Sequence, residues 1–583
     1  MSRLRRLLFL LPALLAAACA TAVAPRDAGR GVATGRTSET ANASQWDVSV
    51  PAITRPDGET AAWWFHNGAA QAASRGAMAG RAKNVILFVG DGMSLTTVAA
   101  ARILEGQRDG GPGEDNALGW ETFPATALSK TYNTDSQTPD SAGTMSAMAT
   151  GVKTRAGVIS VGQQPARGDC AGALAAPMLT LWELAARQGL ATGVVTTTRV
   201  THATPAATFA HAPDRNWEAD TDLPAEAIAA GCRDIARQLI ESDIGGGLDV
   251  LMGGGRGNVM PATQRDPEYD DKVGQRLDGI DLIAAWQQRH PQGSYVWNAK
   301  QLQQAADDQQ LLALFEPDHM QYEHDRASDR GGEPSLAEMT RAAITRLQKI
   351  DAASGSTGYV LLVEGGRIDH AHHLGNAYRA LTDTIALSDA VRAATAMTSN
   401  EDTLILVTAD HSHTLSFAGY PTRGNPILGK VRASSGEEGE PSQFARDSLG
   451  LPYTTLAYAS GPGYVGASAQ QPEGVKRFPH AASGVQAAQH GRPDLTEVDT
   501  QAPDFMQEAL VPFSNESHGG DDVGIWARGP GSEAVRGTVE QNTIFHFMLQ
   551  ATPALRGALC AAGGCDANGV PVALPTAHKA NRG

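Results

Sequence analysis

Several short apolar runs, each ending in glycine or in residues able to do chemistry, constrain this chain most. Val85-Ile-Leu-Phe-Val89 runs into Gly90-Asp91-Gly92-Met93, and Gly193-Val-Val-Thr-Thr197 leads to Arg199-Val-Thr-His202-Ala-Thr204. Leu248-Asp-Val-Leu-Met252 stops at three glycines. Tyr359-Val-Leu-Leu-Val363 continues into Glu364-Gly-Gly-Arg-Ile-Asp369-His-Ala-His-His373, and Leu404-Ile-Leu-Val407 into Thr408-Ala-Asp410-His411-Ser-His413. Runs this short and this rich in Val, Ile and Leu are the mark of parallel strands buried on both faces. Helix-like stretches at Thr180–Gln188 and Asn376–Thr398 separate them, so the order is βαβ. The predicted class is α/β: a mostly parallel central sheet flanked by helices on both faces. Ligands collect at the carboxyl ends of such strands, and the polar clusters occupy that end. From about 415 to 517 the chain is rich in Gly, Pro, Ser and Gln and reads as a loop-rich inserted subdomain.

A chain of 583 residues allows several domains or one large α/β unit with insertions. Its 42% hydrophobic content supports a sizeable core, and with only 19% charged residues wholesale disorder is excluded. The net charge of −16, with no Lys/Arg cluster beyond the N-terminus, argues against wrapping nucleic acid. An anionic substrate would need a local source of positive charge, and bound metal is the obvious one.

Basic residues at Arg3, Arg5 and Arg6, then an apolar run from Leu7 to Ala18, predict an export signal over 1–20. Ala16-Ala-Ala-Cys19 also reads as a lipobox with Cys19 lipidated; simple cleavage near Ala20 is the alternative. No later run reaches the roughly 18 apolar residues a membrane span needs. The Ala/Thr/Gly/Arg-rich stretch 21–58 is expected to be a flexible tether. The expected location is therefore periplasmic, on the outer membrane as a lipoprotein, or extracellular. Cys170, Cys232, Cys560 and Cys565 remain, and in an exported chain an even number suggests two disulfides with three connectivities open. The short separation favours Cys560 with Cys565, which leaves Cys170 with Cys232.

Asp369 and His373 are four apart, so on a helix they project from one face and can share a metal. Asp410-His411 at a strand end can converge on one ion, and the glycines after His518 allow close approach. Carboxylates with imidazoles favour zinc, whereas the all-oxygen set Asp91, Thr204 and Glu364 favours magnesium. In Thr138-Pro-Asp140-Ser141, the small residues that follow allow a tight helix with its N-terminus facing an anion. No serine triad or nucleophile elbow surrounds Ser141, so a metal is the expected activator.

Gly90-Asp91-Gly92-Met93, Pro139-Asp140-Ser141, His202-Ala-Thr204-Pro-Ala, the Glu364 to His373 segment, Thr408-Ala-Asp410-His411-Ser-His413 and Ser517-His518 together resemble the alkaline phosphatase family. They come in that family's order from about Ala82 to Cys565. The resemblance implies hydrolysis of phosphate monoesters through a phosphoserine on Ser141, with little leaving-group specificity and Arg215 clamping the phosphoryl oxygens. It implies one zinc on Asp369, His373 and His518, a second on Asp91, Asp410 and His411, and magnesium on Asp91, Thr204 and Glu364. His413 would orient Asp369 from behind, and His202 and His370 would lie beside the magnesium site.

Likeness to the animal members further implies a calcium ion at Glu268, Phe315, Glu316 and Glu333, the last standing where the family usually has Asp. It makes 59–583 the catalytic domain, the 415–517 insertion crown-like, and the expected assembly a homodimer. The competing readings are a phosphodiesterase of the same superfamily and a non-catalytic metal-binding surface lipoprotein. Ser141-Ala-Gly-Thr-Met lacks the sulfatase nucleophile pattern, diesterases usually carry Thr there, and none of the implied catalytic or ligand residues is missing.

Overall fold

Val85, Leu87 and Val89 pack into the core on one side of a central sheet, Ile86 and Phe88 into a second core on the other, and all five are fully buried. The same alternation sorts Val360 and Leu362 from Leu361 and Val363, and Leu404 and Leu406 from Ile405 and Val407. A strand with apolar side chains on both faces is stable only between two covering layers. The structure is a computed structural model that describes residues 45–53, 58–242, 247–355, 358–433 and 443–576. The predicted signal, Cys19 and most of the predicted tether lie outside these residues.

The sheet has ten strands. They are β1 (Asn84–Gly90), β2 (Ala125–Lys130), β3 (Ala191–Arg199), β4 (Val250–Gly254), β5 (Ser294–Val296), β6 (Leu311–Leu314), β7 (Tyr359–Gly365), β8 (Thr403–Ala409), β14 (Val523–Arg528) and β15 (Arg536–Glu540). Between β8 and β14 in sequence come β9 (Ser412–His413), β10 (Leu415–Phe417), β11 (Leu456–Gly461), β12 (Ala509–Pro512) and β13 (His518–Gly519). The spatial order is β15-β2-β14-β8-β1-β7-β3-β4-β6-β5, and only β14 runs against its neighbours. Helices Ser141–Thr150, Leu181–Arg187 and Thr543–Ala551 supply side chains to one core, and helices Leu95–Arg108, Leu336–Ser354 and Ala377–Met397 to the other. The expected mostly parallel sheet with helices on both faces is what forms.

Strands β8, β1, β7 and β3 are consecutive at the centre of this sheet, all parallel. Their carboxyl ends deliver Asp410-His411, Asp91, the helix Arg367–His373, and the segment from Arg199 to the helix Ala203–Ala206. Between 415 and 517, β10, β11 and β12 form a small separate sheet within mostly irregular chain. The segments on either side of this stretch meet: β9 and β13 pair antiparallel, with His413 opposite His518.

Residues 45–53 fall within the predicted tether, yet Trp46 and Val48 pack on Ala69, Met78 and Val570. The Pro51 carbonyl accepts from Trp63 Nε1 at 2.8 Å. The alternating apolar pair gives this stretch a face to bury, which its composition concealed. Disulfides join Cys170 to Cys232 and Cys560 to Cys565. Among the described residues, no helix is long and apolar enough to cross a membrane.

Candidate active site and metal centres

Ser141 opens the helix Ser141–Thr150, and Asp140 caps it by accepting from Gly143 N–H. The serine is 2% exposed. Its Oγ lies 3.0 Å from His411 Nε2 and 3.4 Å from Asp91 Oδ1. His411 Nε2 in turn is 3.4 Å from both Asp91 Oδ1 and Asp410 Oδ2. Thr144 Oγ and the Gly92 N–H hold the two Asp410 oxygens.

A second group gathers around Asp369. Asp369 Oδ1 is 3.4 Å from His373 Nε2, 3.4 Å from His518 Nε2 and 2.7 Å from His413 Nε2. His373 Nδ1 donates to the Glu516 carbonyl at 2.5 Å and His518 Nδ1 to the Pro139 carbonyl at 2.8 Å. A carbonyl only accepts, so in the neutral rings both Nε2 atoms are lone-pair donors. They face each other at 3.1 Å. Two lone pairs at that distance need a cation between them, which fits a metal held by Asp369, His373 and His518.

A third group is built from oxygens. Glu364, on β7 opposite Val89 of β1 and Thr196 of β3, is completely buried and accepts from the Thr196 hydroxyl. Asp91 Oδ2, Glu364 Oε1 and Thr204 Oγ are all buried with no hydrogen-bond partner. Unpartnered buried oxygens are costly, and three of them together fit a hard cation such as magnesium.

The electrostatics point the same way. Burial raises the Asp91 carboxyl well above the usual range, and the charges of Asp410, Asp369 and Glu364 raise it further. Burial also pushes Glu364 up to about 7, against hydrogen bonds that favour its charged form. The imidazoles of His411, His202 and His370 are driven neutral, chiefly by burial. Crowded carboxylates beside neutral imidazoles are a cation-binding donor set.

A positive group stands beside the serine. Arg215 Nη1 donates to Asp140 Oδ2 at 2.8 Å and Nη2 to His202 Nε2 at 2.9 Å. Burial alone would raise the Asp140 carboxyl; Arg215 and the N–H groups of Gly157 and Gly143 outweigh it and hold the carboxyl below its usual range. Asp140 thus ties the serine's helix to the guanidinium. Serine, arginine and three candidate cation sites thus share one end of the central strands. The family model described as alkaline phosphatase matches residues 82–554.

The chain belongs to the alkaline phosphatase family. It is 42% identical over 482 residues to the tissue-nonspecific alkaline phosphatase of Mus musculus, covering 81% of this chain and 84% of that one. With the Homo sapiens isozyme it shares 40% over 480 residues, covering 81% and 83%. Among solved structures, the alkaline phosphatase of Thermus thermophilus superposes with a TM-score of 0.57 at 28% identity, over 82% of this chain and 92% of that chain. The alkaline phosphatase of the Antarctic bacterium TAB5 has a TM-score of 0.51 at 21% identity, over 81% and 98%, and shares the fold. The chain is accordingly a metalloenzyme that hydrolyses phosphate monoesters.

Of the residues expected at a calcium site, two carboxylates come together. Glu268 and Glu316 converge, but the third carboxylate beside them is Asp329, not Glu333. Glu333 instead accepts from Gln321 N–H at 3.0 Å, and its own N–H donates to Asp329 at 2.8 Å. Both of its carboxylate oxygens lie against the Gln321 N–H. Phe315 is buried, and its N–H donates to the Gly253 carbonyl. Burial, contact with Asp329 and the Glu268 charge push Glu316 up to about 8.

Several residues of the site escaped sequence reasoning. His319 meets His370 edge to face with ring centres 4.2 Å apart, and His202 likewise at 5.4 Å. His372 lies buried behind His413 and hydrogen-bonds Tyr458 Oη at 2.7 Å. Glu516 reaches His413 Nδ1. Only the Glu-Ser-His spacing before His518 could have signalled Glu516; the other contacts link distant segments.

Proposed function

We propose that Ser141 is the nucleophile of a phosphate-monoester hydrolase working through a phosphoserine intermediate. The observation that carries this reading is Ser141 Oγ at 3.0 Å from His411 Nε2 and 3.4 Å from Asp91 Oδ1, next to an arginine held by Asp140. Asp369, His373 and His518 would hold one zinc, Asp91, Asp410 and His411 a second, and Asp91, Thr204 and Glu364 a magnesium. When bound, these ions supply positive charge that lowers the pKa of the serine hydroxyl and offsets charge on the transferred group.

Ser141 Oγ forms the new bond to phosphorus as the bond to the leaving oxygen breaks, and the alcohol departs. Arg215, fixed through Asp140 and His202, binds two phosphoryl oxygens and orients them for in-line displacement. Water then attacks the same phosphorus, Ser141 recovers its proton, and inorganic phosphate leaves. His413 keeps Asp369 in place; His202 and His370 line the magnesium side. Calcium at Glu268 and Glu316 would use Asp329 where Glu333 was expected.

The N-terminal signal pattern and the two disulfides favour export, with or without lipidation of Cys19. A homodimer is supported by the exposed apolar side chains Leu510, Val511 and Phe513 at the edge of the small β10-β11-β12 sheet. The test is hydrolysis of a chromogenic phosphate monoester by intact protein, by chelator-stripped protein with zinc and magnesium restored, and by Ser141→Ala. Activity that follows zinc and is lost in Ser141→Ala is the expected result. Turnover of diesters in preference to monoesters, or full activity in Ser141→Ala, would overturn the proposal.

A further inference from the structure

Glu516 is 1% exposed and contacts the Asp369 centre by two separate routes. Its carboxylate takes His413 Nδ1 with one oxygen and the Thr414 N–H, at 2.6 Å, and hydroxyl with the other. His413 passes this on through its other nitrogen, 2.7 Å from Asp369 Oδ1. The main chain of Glu516 makes the second route. Its N–H donates to the His373 carbonyl at 2.8 Å, and its carbonyl accepts from His373 Nδ1 at 2.5 Å. His518 follows two residues later in the strand that pairs with His413.

A buried carboxylate is expensive unless every acceptor is used, and here each oxygen is committed to the same small region. Gly461 leaves room for it: a Cβ built there would stand 3.0 Å from Glu516 Cβ. Tyr458, three residues before Gly461 in β11, hydrogen-bonds His372, the neighbour of His373. Asp369, His373 and His518 are therefore braced from behind by the closing end of the insertion.

We infer that Glu516 is a positioning residue that sets how tightly the Asp369–His373–His518 centre retains its metal, through His413 on one side and the His373 ring on the other. The inference rests on the proposed reading of those three residues as zinc ligands. A metal site's outer partners fix ring orientation and ligand geometry, and their loss commonly costs about 10–100-fold in affinity. Glu516→Gln preserves size and removes the charge; Glu516→Asp keeps the charge but draws it back from His413.

The experiment loads the full chain with zinc, adds excess of a coloured zinc chelator, and follows release in wild type, Glu516→Gln, Glu516→Asp and Asp369→Ala. Melting temperature is recorded for each. Faster zinc release from Glu516→Gln by about tenfold or more, with Glu516→Asp in between and turnover recovering as zinc is raised, is the expected result. Release from folded Glu516→Gln at the wild-type rate, where Asp369→Ala has lost a zinc equivalent, overturns the inference. Should Glu516→Gln not fold, Glu516→Asp decides in the same way. Identical zinc content in wild type and Asp369→Ala would instead defeat the ligand reading, so the two failures are distinguishable.

Discussion

His373 and His518 turn their Nε2 atoms toward each other at 3.1 Å while the Nδ1 of each is fixed on a carbonyl oxygen. Stripping metal from this arrangement leaves lone pairs and carboxylates opposed in a buried site. Chelator treatment is expected to lower the melting temperature by several degrees, and zinc to restore it. A ligand present at 100 times its dissociation constant contributes about 2.7 kcal/mol to the folded state. Identical melting curves with and without chelator would contradict the arrangement's dependence on a cation.

Ser141→Ala removes the oxygen proposed as nucleophile and little else, because the helix cap comes from Asp140. The turnover number is expected to fall roughly 10³-fold or more, with the melting temperature nearly unchanged. Rapid-quench capture of a phosphorylated chain in wild type, absent in the variant, checks the same point chemically.

Arg215→Ala should raise KM for a phosphate monoester and weaken inhibition by inorganic phosphate by about tenfold or more. Arg215→Lys should recover little, since an ammonium cannot reproduce a planar two-pronged contact. Asp140→Ala should show the Arg215 defect together with a loss of about 1 kcal/mol from the missing cap. Unchanged phosphate inhibition in Asp140→Ala would break the proposed link between the two residues.

His546 is completely buried between Phe65 and Phe545 in the core, and burial pushes its imidazole down to about 3. An ordinary histidine titrates near 6.5, so between those values the unfolded chain binds more protons than the folded one. Stability from this group is complete above pH about 6.5 and is lost as pH falls toward 3. Urea unfolding at pH 7, 5.5 and 4.5 should therefore show a steeper acid loss in wild type than in His546→Leu. Parallel slopes would remove His546 as a cause.

The two disulfides should differ in worth. Cys170–Cys232 closes a separation of 62 residues and Cys560–Cys565 one of 5. A longer loop loses more freedom in the unfolded state, so Cys170→Ser/Cys232→Ser should cost about 2–4 kcal/mol and Cys560→Ser/Cys565→Ser less. Equal midpoints in a denaturant titration would show that loop length is not what governs them.

The sheet's centre was legible because β1, β7 and β8 are buried on both faces and carry continuous apolar runs. β2 and β5 were not: they lie toward the sheet's two ends, are partly exposed, and show no comparable run. In the site, Asp369 and His373 are legible from spacing, since four residues make one helical turn. Asp329 left no local pattern to read, and Glu516 only its place two residues before His518, because both make their contacts through folding. Likeness named Glu333, which spends its carboxylate on the Gln321 N–H, while Asp329 stands beside Glu268 and Glu316.

The four central strands that carry the site come from widely spaced parts of the chain, and its last expected ligand, His518, follows the whole insertion. No shorter N-terminal fragment can assemble the Asp369 centre. A nascent chain released before β13 would own the serine, the arginine and most of the candidate ligands, yet could not close this donor set. A metal held there, as proposed, would be captured only by chains whose topology is complete, which would make its uptake a check on the finished fold.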